Sequence, residues 1–202
     1  RINKSRKVVI TMKRKAAILM LTAALAASQG ITVLAANSIG TNVSADANAG
    51  STPTGFVSGS GTISNGGSTI TIGDSKFNMI AGKEASLAGL PESAVASINA
   101  INAGTNLTEA GTGLDLTGYQ ALAVTTTMML FDTNTNQEKR TPSEIPLYVP
   151  NLVSGLGNVR VLFFNNFTSK WELLTPTEIN VEKKELKVNL PCSGTFSIVY
   201  KK

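Results

Sequence analysis

The chain has 202 residues and a formal net charge of +5, from 18 basic and 13 acidic side chains. Seven of the basic residues and none of the acids lie in the first 36 residues, so the remainder has 11 basic and 13 acidic residues, a net charge of −2. A weakly acidic surface without a basic run predicts no nucleic-acid partner and, once a leader is removed, no membrane partner.

Histidine is absent and Cys192 is the single cysteine. The chain therefore lacks the commonest general base, the usual Ser and Cys triads and any Cys-based metal site. One cysteine also makes no internal disulfide, so the core must hold the fold together. Beside Pro191 we expect Cys192 to be a half-buried small residue and not a nucleophile. We expect no cofactor, no metal ion and no catalytic residue, and hence a protein that is not an enzyme.

Residues 1–36 have the pattern of a signal peptide. A basic stretch, residues 1–15, precedes the apolar run of residues 16–27, and small residues follow at a suitable cleavage distance. We expect cleavage after Ala35 or Ala36, with Met12 as a candidate true start. The alternative is a retained membrane anchor, because residues 16–36 are just long enough to cross a bilayer.

Residues 37–54 are small and polar, which predicts a flexible linker. Residues 55–202 then form one predicted domain. Its first segment alternates polar with β-branched or aromatic residues around Asn65-Gly66, a strong signal for a β-hairpin.

Residues 90–103 give the one predicted helix. Pro91 and Glu92 suit a first helical turn, apolar residues recur at helical spacing, and Gly104 follows as a stop. The apolar face is narrow, so we expect this helix to cap one end or edge of a sheet.

From residue 114 onward the pattern is one of short strands separated by turns, and this predicts a mainly β protein, an antiparallel β-sandwich with one short helix. Pro146 and Pro150 bracket a short strand that we place near a sheet edge. Residues 132–136 form a polar turn, and the strands are predicted at residues 119–131, 147–149, 158–165, 171–174, 178–181, 185–190 and 194–200.

Residues 145–200 resemble a class of bacterial β-sandwich modules. Four parts of this segment look like β-sandwich modules of secreted and surface proteins of Gram-positive, Clostridia-like bacteria. They are the segment around Leu147-Tyr148-Val149-Pro150, the strand of residues 159–164, the turn and strand of residues 165–172, and the closing residues 193–200. The resemblance covers about a quarter to a third of the chain. It implies an extracellular location and a non-catalytic structural or binding role, and it assigns no functional residue.

Three kinds of candidate site remain. Trp171, the only tryptophan, is a speculative ligand-binding residue because exposed rings stack on sugars, although packing across the sandwich core is the favoured interpretation. A pair of carboxylates could hydrolyse a glycoside. Residues 132–136 copy the first half of a calcium loop but lack its later Gly and Glu, which favours a turn. The acids available in the strand-rich half are Asp132, Glu144, Glu172 and Glu178.

The sequence thus predicts a secreted or cell-surface-associated, non-catalytic structural or binding module. Two alternatives stay open: a carbohydrate-directed protein, either a binding module or a carboxylate-pair glycoside hydrolase, and an N-terminally membrane-anchored display domain. The partner is unknown, with a cell-wall glycan, a host glycan and another surface protein as the classes to be distinguished.

Overall fold

A computed structural model describes residues 54–57, 62–64 and 67–201 of the chain. The predicted leader, residues 1–36, and the predicted linker, residues 37–54, lie outside the described residues apart from Thr54. Across those described ranges, no helix is long and apolar enough to cross a membrane.

Strands dominate the described part of the chain, and they belong to two antiparallel sheets. The strands are β1 (Gly55–Phe56), β2 (Thr62–Ser64), β3 (Gly67–Ile72), β4 (Ser75–Ile80), β5 (Tyr119–Ala121), β6 (Thr126–Asp132), β7 (Ser143–Tyr148), β8 (Asn158–Asn165), β9 (Lys170–Leu174), β10 (Glu178–Asn180), β11 (Glu185–Leu190) and β12 (Gly194–Lys201). The helices are α1 (Lys83–Leu87), α2 (Glu92–Asn102) and a 3-10 turn, Leu107–Glu109.

The small sheet has the strand order β1-β7-β11-β10. Its two longest strands alternate cleanly: Ile145 and Leu147 on β7, with Leu186 and Val188 on β11, are buried, while the residues between them are half-buried or exposed. This period of two is typical of a sheet with one face on a core and the other toward solvent.

The large sheet has the order β2-β3-β4-β6-β12-β8-β9, and β5 also pairs with β12. Side chains of β4, β6, β8 and β12 meet those of the small sheet in one apolar cluster that includes Phe77, Leu130, Phe163 and Phe196. The predicted antiparallel β-sandwich is therefore confirmed, as is the β2–β3 hairpin, in which Ser64 pairs with Gly67.

Helix α2 confirms the predicted helix, but its predicted place at an end or edge of a sheet is wrong. Ile98 and Ile101 pack on the large sheet face opposite the small sheet, against Leu162 and Phe164 of β8. Alternate residues of β8 thus enter two different cores, because Val161 and Phe163 point into the sandwich. The large sheet is covered on both faces there, and the fold has three layers.

The predicted single strand at residues 119–131 is divided into β5 and β6. Both pair with β12, and the Leu122 N–H still donates to the Ile198 carbonyl (2.7 Å), but residues 123–125 leave the ladder before β6 begins. Polar contacts hold this break: Ser197 donates to the carbonyl of Ala123 (2.6 Å), and the Asn102 side chain binds Thr125. Such tertiary contacts override the strand propensity of the run.

Strand β7 is longer than the predicted 147–149 segment and contains Pro146. Its neighbour β1 pairs with Leu147 and Tyr148, and among the described residues no strand pairs with the preceding part of β7 on that side. The edge position predicted from the prolines is confirmed for that part of the strand.

Candidate ligand-binding face

Trp171 does not lie between the two sheets, and its predicted packing across the sandwich core is wrong. Its side chain, only 8% exposed, belongs to the cluster beneath α2 and meets the Phe164 ring edge-on, with centroids 5.4 Å apart. A buried ring offers no face to a sugar, so Trp171 stabilises the helical layer and gives no stacking platform.

Cys192 is fully buried, whereas its place beside Pro191 predicted that it would be half-buried. Its thiol donates to Oδ1 of Asn165 at 3.2 Å. Burial raises the pKa of the Cys192 thiol, which keeps the group protonated and poorly nucleophilic. This geometry agrees with a structural cysteine.

Ser75, Lys139 and Ser143 form the arrangement closest to a nucleophile with a base. Lys139 Nζ donates to Ser75 Oγ (2.7 Å), and Ser75 Oγ lies 3.0 Å from Ser143 Oγ. Lys139 Nζ also lies 2.6 Å from Asp74 Oδ1, so the group beside the two serines is already engaged in an ion pair. Since Ser75 is in the large sheet and Ser143 in the small one, the cluster ties the two sheets together.

Two of the four candidate acids are engaged in local structure. The Asp132 carboxylate accepts from the backbone N–H groups of Asn134 and Thr135 (both 2.9 Å), and these bonds lower its pKa. Glu172 accepts from the side-chain amide of Asn165 at 2.9 Å. The polar turn predicted at residues 132–136 is confirmed, and its first carboxylate is used to close the turn.

Among the described residues no group of three or more Cys, Asp or Glu side chains is placed to hold a metal ion. The other two candidate acids, Glu144 and Glu178, lie on the same side of the small sheet, although on strands separated by β11. Glu178 is 2.6 Å from Lys187, which lowers the pKa of its carboxyl group. A general acid needs a raised pKa, so this environment is opposite to the one that glycoside hydrolysis requires.

A groove of about 330 Å³ runs between α1, α2 and the start of β6. Several of its polar wall groups are bonded to one another: the Asn102 amide donates to Thr125 Oγ1 (2.9 Å) and accepts from the Thr125 N–H (2.7 Å). Thr127 also donates to the carbonyl of Ser86 at 3.1 Å. These bonds join α1 and α2 to residues at the start of β6. The apolar lining of the groove is Ile80, Leu87, Ile98 and Val124.

The solvent-facing side of the small sheet, which we call the outer face, presents side chains aligned across neighbouring strands. Backbone register aligns Gly55, Tyr148, Glu185 and Asn180 in one row across all four strands. Directly opposed residues have Cβ atoms about 4.5–5.5 Å apart, so the side chains of Tyr148, Glu185 and Asn180 are neighbours, while Gly55 has no side chain. The remaining members of the outer face are Glu144, Pro146, Glu178, Lys187 and Asn189.

The charge of the outer face is negative. Glu144, Glu178 and Glu185 surround Lys187. The hydrogen bond that Lys187 donates to Glu178 is the main cause of the raised pKa of Lys187, and the charges of the other two carboxylates add to it. One ammonium among three carboxylates leaves a net charge of −2. Glu144 is also fixed, since it accepts from Thr177 Oγ1 at 2.8 Å.

Comparisons of the chain with protein-family models, with curated proteins and with solved structures returned no match. What the outer face can do is therefore inferred from its own geometry. The sequence did not single out Tyr148 beyond its strand, because the row around it joins residues that are far apart in the chain.

Proposed function

We propose that this chain is a non-catalytic binding module that acts outside the cytoplasm, secreted or associated with the cell surface. The observation that carries the proposal is the outer face, a solvent-facing row of ring and polar side chains on a sheet whose other face is packed in the core. A rigid sheet is a suitable support for a binding surface because it holds its side chains at fixed spacing.

The state of the reactive groups favours binding over catalysis. Lys139 and Glu178 are ion-paired, Asp132 is bound by backbone N–H groups, and Cys192 is buried. Each of these groups is therefore engaged in a contact within the protein, and none is left as a free, activated acid, base or nucleophile.

Export is supported by the sequence of residues 1–36, with its basic start, apolar run and small residues near Ala35. Residues 37–54 would then separate the folded domain from the cleavage point. The likeness of residues 145–200 to modules of secreted Gram-positive proteins points the same way.

Export is tested by expressing the full chain in a Gram-positive host, fractionating the cells and measuring the N-terminus by mass spectrometry. We expect protein in the medium or wall fraction that begins at Ala36 or Asn37. A matched variant, Leu21→Arg, places a charge in the apolar run and should stay inside the cell. Full-length wild-type chain in the cytoplasm would contradict export, and membrane-bound chain with residues before Ala35 intact would show a retained anchor.

A further inference from the structure

We infer that the outer face binds an uncharged, hydroxyl-rich glycan, with the ring of Tyr148 as the stacking surface and Glu185 and Asn180 as its hydrogen-bonding partners. This inference rests on the proposed function and names the ligand class of the same face.

The ring of Tyr148 is half-buried and has no side chain beside it on β1, where its cross-strand neighbour is Gly55. Within the described ranges, no atom lies less than 4 Å from the position that a Cβ at Gly55 would take. Two residues earlier on the same face of β7, Pro146 adds a second flat apolar group. A tyrosine has an apolar ring face and a polar tip, which match the C–H face and the hydroxyl groups of a pyranose.

The other side of Tyr148 supplies polar groups of both kinds. Glu185, directly opposite, is a carboxylate that accepts hydrogen bonds. Asn180 follows on the next strand; its Oδ1 accepts from the Lys183 N–H at 3.0 Å, which fixes the side chain and leaves its NH₂ group as the donor. Sugar hydroxyls both donate and accept, so they need such a pair. Four strands span about 14 Å, enough for more than one sugar unit.

Charge and apolar content select among ligands. The net negative charge of the outer face repels sulfated or uronic-acid polymers. Of the large apolar side chains exposed in the described part of the chain (Ile72, Phe167 and Ile179), none is on the outer face: Ile179 pairs with Leu186, on the inward side. The outer face therefore has no exposed aliphatic side chain, and its flat groups are Tyr148 and Pro146 among polar neighbours, a composition that suits a sugar better than a large apolar protein surface.

The test measures binding of the purified full-length chain to soluble cello-, xylo- and N-acetylglucosamine oligosaccharides, with polygalacturonate as the anionic counterpart. We expect binding to at least one neutral series, weakened about tenfold or more by Tyr148→Ala and retained by Tyr148→Phe. The matched control is Tyr119→Ala, which removes a half-buried tyrosine from β5, on the large sheet.

Fluorescence of Trp171, buried in the helical layer, reports whether each variant is folded. Should Tyr148→Ala unfold, Glu185→Gln takes its place, because it keeps the side-chain volume and removes the charged acceptor; we expect it to weaken binding about threefold or more.

Three outcomes would overturn the glycan inference: binding to polygalacturonate alone, neutral binding that Tyr148→Ala and Glu185→Gln leave unchanged, or no binding to any of these sugars. None of them contradicts the proposed export, which the N-terminal measurement tests separately. A protein partner whose binding is lost in Tyr148→Ala would likewise overturn the glycan inference and retain the binding role of the outer face.

Discussion

The start of β12 is tightly packed between two neighbouring strands, so adding one methyl group at Gly194 should have a strong effect. Gly194 pairs with Asn165 of β8 on one side and with Met128 of β6 on the other. A Cβ added to Gly194 would overlap the carbonyl oxygen of Phe164 and would lie 2.6 Å from Cε2 of the Phe163 ring. Neither group can move freely, because the carbonyl is part of a β-ladder strand and the ring is fully buried in the core.

Gly194→Ala should therefore cost near or above the upper end of the range for overpacked cores, about 3 kcal/mol or more of unfolding free energy. In a domain of this size such a loss lowers Tm by about 6–12 °C. Urea unfolding followed by Trp171 fluorescence measures the free energy directly, since this is the only tryptophan.

The control is Gly55→Ala, whose added Cβ meets no atom within 4 Å and should change stability by less than about 0.5 kcal/mol. If Gly194→Ala unfolded within about 1 kcal/mol of the wild type, the close approach of β12 and β8 would be refuted.

Three further predictions concern polar groups. Asn165→Ala should destabilise the domain by about 2 kcal/mol in urea unfolding, because Asn165 joins the buried Cys192 thiol to the β8–β9 turn; an unchanged midpoint would contradict that role. Cys192 should react with a thiol reagent only as fast as the domain opens, and rapid labelling in native buffer would show that it is exposed. The hydrogen bond from Lys139 lowers the pKa of Asp74 below 3.8, so this ion pair stabilises the domain above that pH and its contribution is lost as the pH falls through the folded pKa. The difference in unfolding free energy between wild type and Asp74→Asn should therefore shrink in acid. A constant difference from pH 7 to pH 3 would refute this role of the pair.

For strands with one buried face, the sequence indicated both the position of the strand and which side chains enter the core. For strands with two buried faces, it indicated only the position. Strand β11 alternates, and its pattern alone indicated which residues enter the core. Strand β8 is apolar on both faces over residues 161–164, so its pattern gives no indication of which side chain joins which layer. The same ambiguity explains Trp171: burial was predicted, but the layer that buries it depends on where α2 docks.

The candidate site was less accessible to sequence reasoning. Its row brings together Gly55, Tyr148, Glu185 and Asn180, and register between distant strands has no local signal in the chain. Helix α1 was missed for a related reason, because it has no buried residue and therefore no apolar pattern to detect.

The position of β12 has a consequence for the way the protein reaches its native state. Thr195 contacts Thr127 across 68 residues of chain, and β5, β6 and β8 all pair with this last described strand. During synthesis β5, β6 and β8 have no common partner until β12 has left the ribosome, so native closure of the large sheet must wait for residues 194–201. Removal of these residues should therefore leave a chain in which the large sheet does not close.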